Sequence, residues 1–187
     1  MSNDYPNKAE NEVKTAVMVQ HWTDLVFLHW RYPAEIVQAL LPKGVEVEQF
    51  DGSAWVGLIP FHMNDLGFPG LHPLPYVGSF PEVNVRTYVR YGDYSGVWFF
   101  SLDINKALPT LIARTVYEIP YCYGSVSHKK VGNFVTTTVA RTWPRPSAES
   151  SIVVETDKPI DGDLERFLTA RWGLIAKSNR NKFLWGQ

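Results

Sequence analysis

The sequence predicts an α+β fold, a largely antiparallel sheet curled or closed into a barrel, with about three short flanking helices. Three observations carry this expectation. Tight-turn signals recur between apolar runs, at Asp51-Gly52, at "GDYSG" (Gly92–Gly96) and at "VGN" (Val131–Asn133). Period-two alternation dominates the stretches between them. Helical spacing is confined to three short segments, so most strands must connect through hairpins, which argues against a doubly wound parallel sheet.

Each element follows in turn. "HWTDLVFLHWRY" (His21–Tyr32) reads as one strand, with Leu25, Phe27, His29 and Arg31 on one face. "PAEIVQALLP" reads as a helix, since Pro33 suits a first helical position and Pro42 stops it. Ile36, Val37 and Leu40 form its expected apolar stripe. "VEVEQF-DG-SAWVGLIPFHM" predicts a hairpin, because Asp-Gly accepts the positive φ of a type I′ turn. Asn64–Pro81, with four prolines and three glycines, predicts a long loop.

"FPEVNVRTYVRY" (Phe80–Tyr91) is a strand, and it turns into "GVWFFSLDI" (Gly96–Ile104). Leu108, Leu111, Ile112 and Val116 place a helix over about Lys106–Tyr117. "YCYGSVSHKK" and "FVTTTVARTW" form a third hairpin, and "SIVVET" adds a strand. "DGDLERFLTARW" makes a helix with an aspartate cap and Leu164, Phe167 and Leu168 inward. "GLIAKS" and "FLWGQ" close the chain as two strand-like pieces.

With no repeat and no linker, residues 15–187 read as one domain behind a frayed polar tail at 1–14. The chain stops inside an apparent strand, which suggests a truncated C-terminus. Composition is that of a soluble globular protein, 45% hydrophobic and 20% charged. A net charge of -1 with scattered cations excludes general nucleic-acid binding. No apolar run is long enough to span a membrane, and the polar N-terminus is no secretory signal. One cysteine, Cys122, fits a reducing cytoplasm. Seven Trp, nine Tyr and ten Phe can build a core or wall a pocket for a small organic ligand.

Familiar chemistry is absent. There is no phosphate-binding glycine motif, no nucleophile elbow, and no metal-ligand spacing among the five histidines, so neither a metal nor another cofactor is called for. Cys122 reads as a small buried hydrophobe. The unusual feature is Phe80–Tyr91, where Glu82, Asn84, Arg86, Tyr88 and Arg90 share one strand face. Ser101 and Asp103 of the neighbouring strand could join them. Alternation alone leaves open whether that face meets solvent or lines a pocket.

The segments "LHWRYPAEIVQALLPKGVEVEQFDGSAWVGLIPF", "FPEVNVRTYV", "GVWFFSLD" and "ARTVYEIPYCYG" closely resemble the YqjF-like family of uncharacterised bacterial proteins. The resemblance runs from Trp22 to about Trp185. Family members usually continue past this terminus, which fits the expected truncation. That family looks like a branch of the acetoacetate decarboxylase-like superfamily, which implies a curled antiparallel cone with an internal cavity. The decarboxylase forms a Schiff base on a lysine whose pKa a second lysine and an apolar pocket depress. Matching its motif here puts Gly-Arg on Ala113-Arg114, the proline on Pro120 and the lysine pair on Tyr121-Cys122, neither of which can form an imine.

Glu82 falls where the decarboxylase carries its pocket glutamate. The resemblance therefore implies binding or transformation of a small carboxylate or keto compound by non-covalent acid/base chemistry of a lyase or hydratase type. Glu82 and Tyr121 are the catalytic candidates. Arg86, Arg114, Arg31, His29, Asn84 and Tyr88 are the binding candidates. A non-catalytic binding module for an apolar or aromatic metabolite is the alternative. Relatives often associate, and the apolar strand faces suit a homodimer.

Overall fold

The computed structural model describes residues 16, 18–115, 118–156, 160–177 and 183–186. The expected tail at 1–14 lies outside these. Eleven strands and three helices are present among the described residues: β1 (Val19–Thr23), β2 (Leu28–Tyr32), α1 (Ala34–Gln38), β3 (Glu46–Val47), β4 (Ala54–Gly67), β5 (Phe80–Tyr91), β6 (Tyr94–Ile104), α2 (Ala107–Thr115), β7 (Tyr121–Val131), β8 (Phe134–Trp143), β9 (Glu149–Glu155), α3 (Asp163–Thr169), β10 (Leu174–Lys177) and β11 (Phe183–Gly186). They form one curled sheet of order β1-β4-β5-β6-β7-β8-β9, whose path does not close. β2 adds to β4, β3 to β5, and β10 to β6 and β11. No described helix is long and apolar enough to cross a membrane.

Most pairs are antiparallel, as the hairpin signals require. Two are not. β7 runs parallel to β6, with α2 as its crossover, and β10 also pairs parallel with β6. The sheet is therefore mixed.

The strand expected over His21–Tyr32 divides into β1 and β2, and the reason lies on β4. Both pieces lie along the same edge of β4, and the break between them faces Pro60, whose carbonyl accepts from Val26 N–H at 3.0 Å. Proline has no N–H to return, so the ladder cannot continue there. Asp24 takes a left-handed φ of 52° at the break. The Asp51-Gly52 turn forms as expected, with φ of 56° and 70°, and Phe50 bridges Ser53. The strand leading into it then departs: β3 is two residues long and pairs with β5, not β4. The predicted loop is shorter than expected, because β4 runs on to Gly67 before the chain turns back into β5.

Helix spacing was legible, but the facing of the first two helices was not. In α1 only Val37 is buried; Ile36 and Leu40 are exposed. The Gln38 side chain fixes the helix instead, donating to Val45 O and accepting from Val47 N–H, both at 2.8 Å. In α2 the protected face carries Thr110, Ala113 and Arg114, which leaves Leu108, Leu111 and Ile112 outward. Tyr117 and Val116 lie outside the described residues. In α3 Phe167 and Leu168 are buried as expected, while Gly162 occupies the cap position and no side chain caps the helix.

Both faces of β5 are covered. Val83 packs with Val126 and Val139 of the β7–β8 hairpin. On the other face, Tyr88 packs with Trp55, Val97, Phe167 and Leu168. Further along that face, Ile59, Phe61, Met63, Phe80 and Ile104 form a second cluster, with Phe27 and Tyr121 against it.

Candidate functional site

The polar row of β5 is buried, not washed. Glu82 is 1%, Asn84 2% and Arg86 6% exposed, and Tyr88 is fully buried; Arg90 alone is exposed. Burial on this scale requires each polar group to find a partner or bear a cost of about 1–3 kcal/mol.

Glu82 accepts from Tyr121 Oη at 3.1 Å. The two meet because β7 enters beside β6 with Tyr121 level with Leu102, which itself lies opposite Asn84. Burial lifts the Glu82 carboxyl to about 8, against the partial relief of hydrogen bonds from Tyr121 and Asn84. Burial and the neighbouring carboxyl push the Tyr121 phenol well above its ordinary range. Both groups therefore hold their protons at neutral pH.

The other end of the row is latched to α3. Tyr88 Oη donates to Leu168 O at 2.7 Å, and Arg86 Nη2 donates to the same carbonyl at 3.1 Å. His29 Nε2 lies 2.6 Å from Tyr88 Oη. The phenol's one proton is committed to Leu168, so His29 must donate from Nε2 and is the Nε2–H tautomer. Burial, and then the Arg86 charge, lower the His29 pKa to about 4, which keeps the ring neutral. The Arg86 guanidinium also sits 5.4 Å over the Phe27 ring.

Two atoms in the row lack a partner. Asn84 Oδ1 and Arg86 Nε are buried and make no hydrogen bond. They belong to residues two apart on one strand face, so their side chains are aimed the same way about 7 Å apart at the backbone.

Ser101 and Asp103 do not join this row. The β5–β6 register shifts between Val85 and Arg86, where Val85 faces Ser101 but Arg86 faces Phe99, so Phe100 has no opposite number. That bulge inverts the alternation. It puts Phe99, Leu102 and Ile104 on the Glu82 face and Ser101 and Asp103 on the Val83 face. There Arg141 Nε and Nη2 clasp Asp103 at 2.7 and 2.6 Å, and Nη2 also reaches Ser101 Oγ at 2.8 Å.

Arg31 and Arg114 lie apart from the row. Arg31 is exposed at the Asp51-Gly52 turn, where it bonds Asp51 O and Ser53 Oγ. Arg114 Nη1 donates to Tyr121 O at 2.8 Å and its guanidinium lies 4.9 Å over Trp143, so it fixes the strand that carries Tyr121. Cys122 is buried and faces the Arg141 side. No lysine among the described residues is buried. Among them, too, no three His, Cys, Asp or Glu groups gather to hold a metal ion. Sequence reading missed the Leu168 carbonyl, a backbone group without a residue signature. It also missed Arg141, whose partners only the bulge reveals.

Gly57 stands opposite both Arg86 and His29. A Cβ there would lie 2.8 Å from His29 Nε2 and 2.9 Å from Ile59 Cδ1. Gly57→Ala is expected to push His29 off Tyr88 and cost about 1–3 kcal/mol in urea unfolding. Its NMR-measured His29 pKa should rise toward 6.5. An unchanged titration would mean that the imidazole keeps its place.

The DUF2071 family, described as an uncharacterized conserved protein, matches residues 19–187. Uncharacterized protein YqjF of Bacillus subtilis (strain 168) is 33% identical over 172 residues, which cover 90% of this chain and 71% of that one. The solved acetoacetate decarboxylase of Legionella pneumophila superposes with a TM-score of 0.63 at 12% identity, over 91% of this chain and 64% of its own. An acetoacetate decarboxylase-like enzyme from Sphingomonas wittichii RW1 gives 0.61 at 16% identity, over 90% and 70%. The enduracididine biosynthesis enzyme MppR, complexed with the condensation product of pyruvate and imidazole 4-carboxaldehyde, gives 0.55 at 15%, over 87% and 63%. At these identities the solved structures establish a shared fold, and this chain spans about two thirds of their length.

Proposed function

From the premise that the chain belongs to the DUF2071 family of uncharacterised conserved proteins, whose fold neighbours include enzymes, we propose that it binds a small carboxylate or keto compound on the β5 row and moves a proton on it without a covalent intermediate. The observation that carries this reading is the pairing of a protonated Glu82–Tyr121 couple with two unpartnered buried atoms, Asn84 Oδ1 and Arg86 Nε, on the same strand face.

The chemistry follows from the charges. A neutral Glu82 does not repel an anion, and Arg86 supplies the positive charge to hold one. Arg86 Nε offers a donor to a carboxylate or carbonyl oxygen, and Asn84 Oδ1 accepts from a hydroxyl or enol. A carboxyl whose pKa lies near 8 is poised to give and retake a proton at neutral pH, which suits lyase or hydratase steps. Tyr121 orients Glu82 and is the second proton carrier. Tyr121 and Cys122 stand at the positions matched to the decarboxylase lysines, so no imine enters the scheme. MppR's complex with a pyruvate-derived product supports keto compounds as the ligand class.

The test begins with thermal shift against pyruvate, acetoacetate and simple carboxylates. For compounds that bind, deuterium exchange at carbon next to the carbonyl is then followed by NMR. Arg86→Met should weaken binding about 10–100-fold, and Glu82→Gln should slow exchange about 100-fold or more at unchanged affinity. Equal binding to the Arg86 variant would sink the proposal. Binding without any exchange would reduce it to a binding module.

A further inference from the structure

We infer that the break in the sheet beside β6, between β10 and β7, is the entrance through which small molecules reach the Glu82 row, and that Phe99 governs what passes. This rests on the reading of that row as a ligand site.

One edge of β6 is occupied by β5 along its length. The other edge is shared by two strands that never meet. β10 touches it only where Leu174 stands beside Val97, and β7 begins where Tyr121 stands beside Leu102. Val97 N–H bonds Gly173 O and Leu102 N–H bonds Pro120 O, which marks the two limits. From Trp98 to Ser101 no described strand pairs with that edge, a gap of about 13 Å at the usual rise. A groove of about 470 Å³ opens there, lined by Leu40, Trp98, Phe99, Phe100, Ile119 and Ile175 among others. That volume suits a small organic molecule.

Residues from both faces of the sheet line the groove. Trp98 packs with Val45, Val89 and Ile175 on the Val83 face. Phe99, turned over by the bulge, packs with the Tyr88 cluster on the opposite face and stands directly across from Arg86. Yet Phe99 is only half-buried, whereas Arg86 and Tyr88 beside it are enclosed. Phe99 thus borders both the open groove and the enclosed row.

Diazoacetamide esterifies a protonated carboxyl, taking up its proton and releasing dinitrogen. At pH 6 the raised pKa of Glu82 leaves it protonated while ordinary surface carboxylates are ionised. Mass spectrometry of the Glu82 peptide therefore reads access, whether or not the protein binds or turns over any metabolite. A bulky maleimide on Leu40→Cys, at an exposed groove residue, should slow esterification at least five-fold, while the same label on Val153→Cys, exposed on β9, should leave it unchanged. Phe99→Ala should speed it about ten-fold and Phe99→Trp should slow it. The entrance is overturned if the label at position 40 has no effect, or if native Glu82 is not esterified at all. Failure of the acid/base proposal would leave these rates as they are.

Discussion

Glutamine at position 82 is expected to make the protein more stable, by about 3 kcal/mol at pH 7 and more at pH 8. The folded Glu82 pKa of about 8 lies above its ordinary value of 4.5. Between those values the folded chain holds a proton that the unfolded chain releases, so stability falls as pH rises through that window. A pKa difference of one between the folded and unfolded chain corresponds to about 1.4 kcal/mol. Glutamine has the shape of the protonated acid and can still accept from Tyr121, so Glu82→Gln should match the parent below pH 4.5 and gain on it steadily to pH 8. Urea unfolding at half-unit pH intervals reads this directly. Parallel curves for the two proteins would show that Glu82 titrates normally.

His29 acts in the opposite sense. Its folded pKa of about 4 lies below 6.5, so the unfolded chain binds the extra proton and stability falls as pH drops from 6.5 to 4. Where the two windows overlap, from 4.5 to 6.5, their slopes oppose one another. The parent protein should therefore show a plateau there with a decline on either side, whereas Glu82→Gln should lose both the plateau and the alkaline decline, rising from pH 4 to 6.5 and staying level above it.

Asp103→Ala is expected to cost about 3–5 kcal/mol, among the largest losses available to a single substitution here. It strips the clasp from Arg141, whose side chain is 17% exposed, and leaves a largely buried guanidinium with only Ser101. The Arg141 pKa is raised chiefly by its bonds to Asp103, consistent with a pair that is held tightly. Replacing both partners together, as Asp103→Leu with Arg141→Met, should recover most of the loss, because the cost lies in the abandoned charge and not in the missing pair. A double variant as unstable as Asp103→Ala would show that packing, not charge, is at stake. Glu82-dependent exchange should survive in the double variant, since the clasp lies on the other face of the sheet.

Much of this was legible in the sequence, for identifiable reasons. Phe80–Tyr91 shows its period directly, and Asp51-Gly52 shows its turn, because both depend on local geometry. The burial of Glu82, Asn84 and Arg86 could not be read from alternation, which treats a polar face the same whether water or protein lies against it. What decided it was the cover supplied by Phe27, Tyr121 and Phe167, three residues distant in sequence. The break at Asp24 needed knowledge that Pro60 would lie opposite. The exclusion of Asp103 from the row needed the unpaired Phe100, and a bulge is visible only once both strands are aligned. The facing of α2 failed for a related reason: three leucine-class residues at the right spacing specify a stripe, but not which side the sheet will take.

The bulge at Phe100 also determines where β6 can change length. Phe99, Ser101, Leu102 and Asp103 would keep their present sides if Phe100 were lost, since simple alternation from Phe99 gives the same assignment. Gain or loss of one residue between Ser101 and Asp103 would instead exchange the two sides, placing the Asp103 carboxyl next to Glu82 and carrying Ile104 to the Arg141 side. The strand thus has one site tolerant of insertion and deletion, and beside it a stretch in which a single-residue change would merge two acidic centres that the fold keeps separate.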